Sequence, residues 1–348
     1  PSADFAQGST SHAPMPNTPP IVGSGRFRYR VQPSWEQLPP GWSFVEVAGV
    51  ATDSRDRVYV FNRGEHPVIV FDADGRFLAS WGEGLFQRPH GIAIGPDDAV
   101  YCTDDMAHAV YKFTTDGKPL ATLGTPGKPS QTGAVGFDYR TVRESGPPFN
   151  LPTNVAFAPD GSAFISDGYG NARVHRFAAD GRLLASWGAP GDGPGQFNVP
   201  HGIAVDREWR VYVADRENSR IQVFTREGEL LAIWTDVARP MQVFVDPKGN
   251  VFVAEVGWHA GRFPWQTPPA GEVPAARLSV FDPAGRLLVR WGGQGDPCSA
   301  GEFFAPHDLA IDSHGAIYVG EVVMSAGGKR GDVPATCHAL QKFVLVAE

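Results

Sequence analysis

The chain contains six copies of one short pattern, and this repetition limits the folds it can adopt more than any other feature. Each copy is a series of short runs of β-branched and aromatic residues, separated by turn residues such as Asp-Gly. Runs of this kind are typical of antiparallel strands joined by tight turns. One copy therefore predicts a four-stranded antiparallel meander. In the clearest copy, the four runs lie at residues 202–206, 211–215, 220–224 and 230–234.

The fourth strand is missing from the sixth copy, and a matching strand lies at the other end of the chain. The third strand of the sixth copy is at residues 339–343, and little sequence follows it. Residues 26–35 show the same alternation and end in a Trp, ahead of the first copy. We therefore expect this segment to supply the outer strand of the last copy and to close a ring. Six small sheets around one axis form an all-β, six-bladed β-propeller, whereas a linear solenoid would not need the two ends to meet.

Composition divides the chain into two parts. Residues 26–348 hold the repeats, and the 41 glycines and 31 prolines of the chain suit a fold with many turns. Residues 1–25 are rich in small and polar residues and proline, and predict an extended or disordered leader. Such a leader often follows a cleaved export signal, so a periplasmic or secreted protein is favoured over a cytoplasmic one, with the compartment left open.

The charge and hydropathy of the chain argue against two classes of partner. The net charge is −8 at pH 7 and no basic run is present, so nucleic acid and anionic membrane surfaces are not expected partners. No stretch reaches the roughly 18 apolar residues that a membrane-spanning helix needs. We expect a monomer or weak oligomer that acts on a small-molecule substrate.

The three cysteines are too few for a disulfide scaffold. Cys102 lies within a predicted strand and is expected to be a small buried hydrophobic residue. Cys298 and Cys337 both lie in loops of the last copy, so a disulfide between them and two free thiols are both open.

Three histidines occupy the same place in alternate copies, immediately before the apolar part of the first strand. In a six-bladed ring this places three imidazoles about 120° apart at one height, where the innermost strands face the axis. Three converging histidines with an open side fit a catalytic site for Zn²⁺ or a similar ion. The alternative is a histidine that the repeat favours for packing, but the other three copies lack it. The six residues in order are Ala48, His90, Thr153, His201, Met241 and His307.

A second set of candidates follows the second strand of each copy. Arg63 and Arg216 take this position in the first and fourth copies, which lie opposite each other in a six-membered ring. Two guanidinium groups near a metal suit a carboxylate-bearing substrate, because Arg binds carboxylates in a bidentate fork. Tyr169, from the third copy, could serve as a base. The alternatives are surface salt bridges for the arginines and ordinary packing for the tyrosine.

The spacing between copies is uneven, and the extra residues fall at about 124–149, 256–277 and 322–338. Long insertions in a regular array usually serve binding or catalysis. The second insertion contains Trp258 and Trp265 and is aromatic enough to form the wall of a pocket.

These residues resemble a known family. The repeats are similar to NHL repeats, and the candidate site is similar to the catalytic core of peptidyl-α-hydroxyglycine α-amidating lyase. The resemblance covers roughly residues 41–345. It departs from the vertebrate pattern at Gly170, where a cysteine is expected, and at Ala305, where a methionine is expected. The shared segments are Asn62-Arg63-Gly64, Pro89-His90-Gly91, Asp167-Gly168-Tyr169-Gly170-Asn171, Asp215-Arg216-Glu217-Asn218 and Pro306-His307-Asp308.

The resemblance implies a function for each of these residues. It implies that the three histidines hold a catalytic Zn²⁺, that Tyr169 is the general base, and that Arg63 and Arg216 surround the substrate. It also implies a structural Ca²⁺ in the channel, bound by Asp308 and by the backbone carbonyls of Val50 and Ile92. A lyase of this family splits an N-(α-hydroxy)glycyl group into an amide and glyoxylate.

The leading hypothesis is therefore a zinc-dependent lyase that cleaves the C–N bond of a small N-(α-hydroxyalkyl) amide bearing a carboxylate. A metal-dependent hydrolase of a small amide, ester or lactone at the same three histidines is an alternative, since a fold and a site type do not fix a reaction. A non-enzymatic NHL binding scaffold is the second alternative.

Overall fold

The structure is a computed structural model that describes residues 18–259 and 273–347. Within these residues almost all regular structure is β-strand, and the one α-helix, α1, covers only Val323–Ala326. None of the helical segments in the described part of the chain has the length and apolar character needed to cross a membrane. Most of the predicted leader, residues 1–25, lies outside the described residues, so the division into leader and propeller stays a prediction.

The strands of the described residues form six small antiparallel sheets, which confirms the predicted six-bladed β-propeller. We number the sheets as blades 1 to 6 in the order of their first strands. Blade 1 holds β3 (Val47–Thr52), β4 (Val58–Asn62), β5 (Val68–Phe71) and β6 (Phe77–Trp81). Blade 2 holds β7 (Pro89–Ile94), β8 (Val100–Asp104), β9 (Ala109–Phe113) and β10 (Pro119–Gly124). Blade 3 holds β11 (Asn154–Phe157), β12 (Ala163–Asp167), β13 (Arg173–Phe177) and β14 (Leu183–Trp187).

The remaining blades repeat this order, and the last one draws strands from both ends of the chain. Blade 4 holds β15 (Pro200–Val205), β16 (Val211–Asp215), β17 (Arg220–Phe224) and β18 (Leu230–Trp234). Blade 5 holds β19 (Pro240–Val245), β20 (Val251–Glu255), β21 (Arg277–Phe281) and β22 (Leu287–Trp291). Blade 6 holds β23 (Pro306–Ile311), β24 (Ile317–Glu321), β25 (Leu340–Leu345), β2 (Phe27–Gln32) and β1 (Ile21–Ser24).

The N-terminal segment closes the ring, as the sequence predicts. Strand β2 pairs antiparallel with β25, from Tyr29 opposite Leu345 to Gln32 opposite Lys342. Its side chains alternate between buried and exposed, because one face of the strand covers the hydrophobic core of the blade. Strand β1, which lies within the predicted leader, adds a fifth strand outside β2.

The first strand of every blade lies innermost and contacts the first strands of both neighbouring blades, so these six strands surround a central channel. The hydrophobic core lies between adjacent blades rather than on the axis. Between blades 1 and 2, for example, Tyr59 and Phe61 pack with Val100 and with Cys102, which is fully buried as predicted. This packing holds the innermost strands at a fixed distance from one another.

The long insertions lie at the ends of the blades. In the last blade, helix α1 and a disulfide between Cys298 and Cys337 hold the insertion against a buried cluster that includes Phe304 and Val322. Of the two open predictions for these cysteines, the structure thus shows the disulfide and not two free thiols. Residues 260–272 of the aromatic insertion lie outside the described residues, and the predicted pocket wall there stays a prediction.

Candidate active site

Three histidines from alternate blades meet where the innermost strands surround the axis. His90, His201 and His307 are the second residues of β7, β15 and β23. Their ring centroids are 4.8, 4.7 and 4.7 Å apart, and one nitrogen from each ring lies within 4.8 Å of the others. All three side chains are buried. Among the described residues, this is the one group of three or more His, Cys, Asp or Glu side chains that could share a metal ion.

Each imidazole is oriented by the blade that follows its own. In all three, Nδ1 lies 2.6–2.7 Å from the carbonyl oxygen of the residue at the equivalent position in that next blade. Because a carbonyl only accepts hydrogen bonds, Nδ1 donates, and Nε2 keeps its lone pair for a metal ion. The three pairs are His90 with Thr153, His201 with Met241, and His307 with Ala48.

A glycine follows two of the three histidines and lies close to the acceptor carbonyl of the next blade. A Cβ atom on Gly91 would lie 2.7 Å from the Thr153 carbonyl oxygen, and one on Gly202 would lie 2.7 Å from the Met241 carbonyl oxygen. Both distances are shorter than van der Waals contact, so any larger residue would push the neighbouring strand away. In each of the three cases one blade supplies the imidazole and the next blade supplies the carbonyl that orients it.

In the three blades that carry one of these histidines, an acidic residue at the end of the second strand fixes the segment that leads to it. In blades 2, 4 and 6 its carboxylate accepts hydrogen bonds from backbone N–H groups two or three residues ahead of the histidine. These bonds limit the freedom of the short loop and hence of the ring. The bonds join Asp104 to Gln87 and Arg88 (2.7 and 3.0 Å), Asp215 to Asn198 (2.8 Å), and Glu321 to Phe304 and Ala305 (both 2.9 Å).

The electrostatic surroundings favour the neutral form of His90 and His307. Burial, the two neighbouring imidazoles and nearby arginines lower the pKa of His90 well below its ordinary value. Burial and the positive charge of Arg63 have the same effect on the pKa of His307. A neutral imidazole with its Nδ1–H held by a carbonyl is the form that binds metals, and three imidazoles suit Zn²⁺ and similar ions. The residues present therefore fit a metal ion.

The Tyr169 hydroxyl lies beside this centre, two residues after the end of β12. It is 3.1 Å from Nε2 of His90 and 3.1 Å from Nε2 of His201. Arg216 Nη1 donates to the same oxygen over 3.3 Å. The ring is only 6% exposed and packs edge-on against Phe137 at 5.1 Å. The hydroxyl is therefore within proton-transfer distance of a ligand held by the histidines.

Arg216 is one of the largest fully buried side chains in the described residues. Its Nε donates to Glu217 Oε1 over 2.7 Å, and Glu217 also pairs with Arg239 Nη2 at 2.8 Å. Burial alone would raise the pKa of Glu217, but the two guanidinium groups outweigh it and lower that pKa to about 2. The charge of Arg216 is thus balanced inside the protein, and its guanidinium is held against Tyr169.

Arg63 has a different environment from Arg216. Its side chain is 9% exposed, with Nε donating to the Pro89 carbonyl over 2.7 Å and Nη1 to Glu46 Oε1 over 2.9 Å. Its Nη2 is buried and has no hydrogen-bond partner among the described residues. Pro89 directly precedes His90, so the Arg63 guanidinium lies beside the strand that carries His90.

The residues of the predicted calcium site lie deeper in the channel. Asp308 accepts hydrogen bonds from the backbone N–H groups of Val50 (3.1 Å) and Leu309 (2.9 Å) and from the Gln242 amide. Burial raises the pKa of Asp308 to about 7. With Val50 and Ile92 it lines a cavity of about 230 Å³, in which it is the only acidic residue among those described. The protein itself satisfies this carboxylate, so calcium stays a prediction without support from the contacts.

Sequence reasoning missed an ion pair beside the site. Arg88 Nη1 donates to Asp105 Oδ2 over 2.6 Å, and Asp105 is fully buried. Asp105 occupies the position after the second strand that Arg63 and Arg216 occupy in their blades. That shared position was the available signal, because Arg63 and Arg216 were already candidates for the site.

A second chain of polar residues is structural. His175 Nε2 lies 3.0 Å from Asp167 Oδ2, and its Nδ1 lies 2.7 Å from Ser186 Oγ. Although this order of groups is that of a nucleophilic triad, it links three strands of blade 3 and lines none of the larger cavities described for the chain. Blade 5 holds a similar chain across its strands, made of Glu255, Ser279 and Arg290.

Comparison with known proteins identifies the relatives of this chain. The family model of the NHL repeat matches residues 197–224. NHL repeat-containing protein 3 of Homo sapiens is 30% identical over 315 residues, which is 85% of this chain and 82% of that protein. Peptidyl-alpha-hydroxyglycine alpha-amidating lyase 1 of Drosophila melanogaster is 35% identical over 302 residues, which is 78% of this chain and 50% of the lyase.

Peptidylglycine alpha-amidating monooxygenase of Rattus norvegicus is 30% identical over 340 residues, or 86% of this chain. The chain spans 31% of the length of that protein. Among solved structures, a gluconolactonase from Xanthomonas campestris aligns with a TM-score of 0.61 at 14% identity, over 97% of this chain and 99% of that one. That likeness shows a shared fold. The extent and identity of the match to NHL repeat-containing protein 3 show more: the chain belongs to the family of NHL-repeat proteins, and the peptidyl-alpha-hydroxyglycine alpha-amidating lyases are among its relatives.

Proposed function

We propose that the protein is a zinc-dependent lyase that cleaves the C–N bond of a small N-(α-hydroxyalkyl) amide bearing a carboxylate, and releases an amide and glyoxylate. The observation that carries this proposal is a buried three-histidine centre with the Tyr169 hydroxyl 3.1 Å from two of its nitrogens. The Drosophila melanogaster lyase, at 35% identity, supports the same class of reaction.

His90, His201 and His307 would hold the ion through Nε2, because each Nδ1 already donates to a carbonyl. A bound divalent ion supplies Lewis-acid polarisation of a substrate oxygen. Burial of the three rings limits the access of water to the centre.

Tyr169 is the group best placed to move the proton. The reaction removes a proton from the substrate's α-hydroxyl oxygen, forms a C=O bond there, and breaks the C–N bond. The departing amide nitrogen takes up one proton, so one residue can accept the first proton and return it. Tyr169 fits this role, since its oxygen faces the centre and Arg216 fixes its position.

Arg63 and Arg216 have different roles in this proposal. Arg63 has a buried, unpaired Nη2, and a buried donor without a partner is costly unless a ligand uses it. We therefore assign the substrate carboxylate to Arg63. Arg216 is paired with Glu217 and contacts Tyr169, which suits a residue that positions the tyrosine.

The proposal is tested with N-benzoyl-α-hydroxyglycine and protein purified without chelator. We expect benzamide and glyoxylate in equal amounts and one zinc ion per chain. His201→Ala should lose both the metal and the turnover. His314→Ala is the control, because this side chain is 79% exposed and lies far from the three histidines in the fold.

Other outcomes would point to the alternatives. Release of benzoate rather than benzamide would indicate a hydrolase at the same histidines. A wild-type protein that binds no metal and cleaves neither hydroxy amides nor esters would indicate a binding scaffold.

A further inference from the structure

A second pocket opens beside the histidine centre, between blades 6, 1 and 2. Its volume is about 560 Å³. We call it the side pocket. It is lined by residues that include Glu46, Arg63, Arg88, Met324, Ser325 and Lys329.

One acidic side chain of the side pocket is already neutralised. Glu46 Oε1 accepts from Arg63 Nη1 over 2.9 Å, and its Oε2 accepts from the Ser325 backbone N–H over 2.7 Å. Glu65, which also lines the pocket, is exposed to solvent. Arg63 therefore lines a pocket in which its counter-ion is already engaged, and its buried Nη2 has no hydrogen-bond partner among the described residues.

Arg88 brings a second guanidinium to the same pocket and is held rigidly. Its Nη1 donates to Asp105 Oδ2 over 2.6 Å, and its guanidinium stacks 4.6 Å from the centre of the Phe137 ring. It also lies 6.0 Å from the centre of the Tyr169 ring. Within the described residues, Nε and Nη2 of Arg88 have no acceptor. Arg88 thus lines the side pocket close to the proposed base, Tyr169, and has two nitrogens available to donate hydrogen bonds to a ligand.

Two preorganised guanidinium groups in one pocket favour a planar anion that can bridge them. We propose that Arg88 determines substrate specificity, forming with Arg63 a two-arginine seat for the substrate carboxylate in the side pocket. This inference rests on the proposed function for the identity of the substrate. What it adds is that Arg88 recognises the carboxylate together with Arg63.

The test measures binding rather than turnover. The probes are N-benzoylglycine, which lacks the hydroxyl and is not cleaved, and its methyl ester, each titrated calorimetrically into the metal-loaded full chain. We expect the wild type to bind the acid more tightly than the ester. Arg88→Met should weaken binding of the acid roughly 10- to 100-fold, the usual worth of hydrogen bonds to a charged group, and leave the ester unchanged.

The matched control is Arg277→Met. Arg277 is 20% exposed and pairs with the fully buried Glu255, as Arg88, 28% exposed, pairs with the fully buried Asp105. Both variants remove an arginine that pairs with a buried acid, but only Arg88 lines the side pocket. Should Arg88→Met fail to fold, the double variant Arg88→Met with Asp105→Asn removes both charges and should show the same selective loss.

Three results would overturn the seat: a wild type without preference for the acid, an Arg88→Met variant that binds the acid normally, or an equal loss for acid and ester. The outcome is separable from that of the proposed function. A protein that binds the acid through Arg88 but cleaves no hydroxy amide would refute the lyase and keep the seat. An active lyase whose Arg88→Met variant retains the preference would refute only the seat.

Discussion

Tyr169 is the residue whose removal should separate proton transfer from metal binding. Tyr169→Phe deletes one oxygen and keeps the ring that packs against Phe137. If the phenol is the base, kcat should fall by on the order of 10²–10⁴ with little change in KM, because its contribution lies mainly in the transition state. Zinc content should stay at the wild-type level.

Tyr139→Phe is the control for this substitution, since Tyr139 packs beside Tyr169 but makes no described contact with the histidines. A Tyr169→Phe enzyme with wild-type kcat would place the base elsewhere and favour the hydrolase alternative.

The ion pairs of Glu217 with Arg216 and Arg239 should make the free energy of unfolding depend on pH in the acid range. The pKa of Glu217 is about 2 in the folded protein and 4.5 ordinarily, so the folded state favours the carboxylate. The stabilisation is therefore complete above about pH 4.5 and is lost as the pH falls towards 2. Its size is on the order of 3 kcal/mol. We expect Glu217→Gln to be less stable than the wild type at pH 7, with a difference that shrinks below pH 4.

Denaturant unfolding between pH 3 and 7 measures this difference. Glu208→Gln, at an exposed glutamate, should show no such trend. A gap between wild type and Glu217→Gln that stays constant with pH would contradict the assignment.

Some residues of the site could be predicted from sequence, and others could not. His90, His201 and His307 were predictable because a repeat fixes their height and their blade. The backbone carbonyls that orient them were not, since any residue supplies a carbonyl and only the spacing of adjacent strands brings it to Nδ1. The ion pair of Arg88 and Asp105 could not be predicted for a related reason, because the two residues belong to different loops and only folding brings them together.

At the scale of elements, β2 is the piece that completes the sheet of the last blade. Deleting residues 1–33 removes β1 and β2 and exposes the edge of β25, which β2 covers. The buried face of β2 would also leave the core cluster that it shares with β22 and β25. We expect a loss of several kcal/mol of unfolding free energy, because each large buried side chain removed costs about 3 kcal/mol.

Thermal unfolding of the truncated chain measures this loss. Deletion of residues 1–17, which removes none of the described strands, is the control. Equal melting temperatures for the 1–33 deletion and the full chain would show that the ring closes without β2.

Element boundaries followed from sequence where the repeat was regular. The alternation at residues 26–35 gave the closing strand, but β1 lay in a segment with no alternation, and it forms because β2 offers a free edge. For the insertion at residues 322–338, only its length could be predicted from the sequence. Its fold depends on the Cys298–Cys337 disulfide and on burial against Phe304, which are tertiary features.

The fold brings together three histidines from blades 2, 4 and 6 that are far apart in sequence and could hold one metal ion. A metal ion bound to all three therefore recognises the closed ring, while the unfolded chain offers only isolated histidines. Anything that binds the native state alone stabilises it, by about 2.7 kcal/mol at a concentration 100 times its Kd. The ion should thus act as a clamp across alternate blades as well as a cofactor.

Removing the metal should lower the melting temperature without unfolding the propeller. For a chain of this size, a loss of about 2.7 kcal/mol corresponds to a shift of about 4 °C. We expect dipicolinate-treated protein to melt that much lower, to keep its far-ultraviolet spectrum, and to recover when Zn²⁺ is added back. His307→Ala should melt near the treated wild type and respond to neither treatment, whereas His314→Ala should respond to both. A wild-type melting temperature that is insensitive to chelator and to Zn²⁺ would mean that the three imidazoles do not hold a metal ion across the ring.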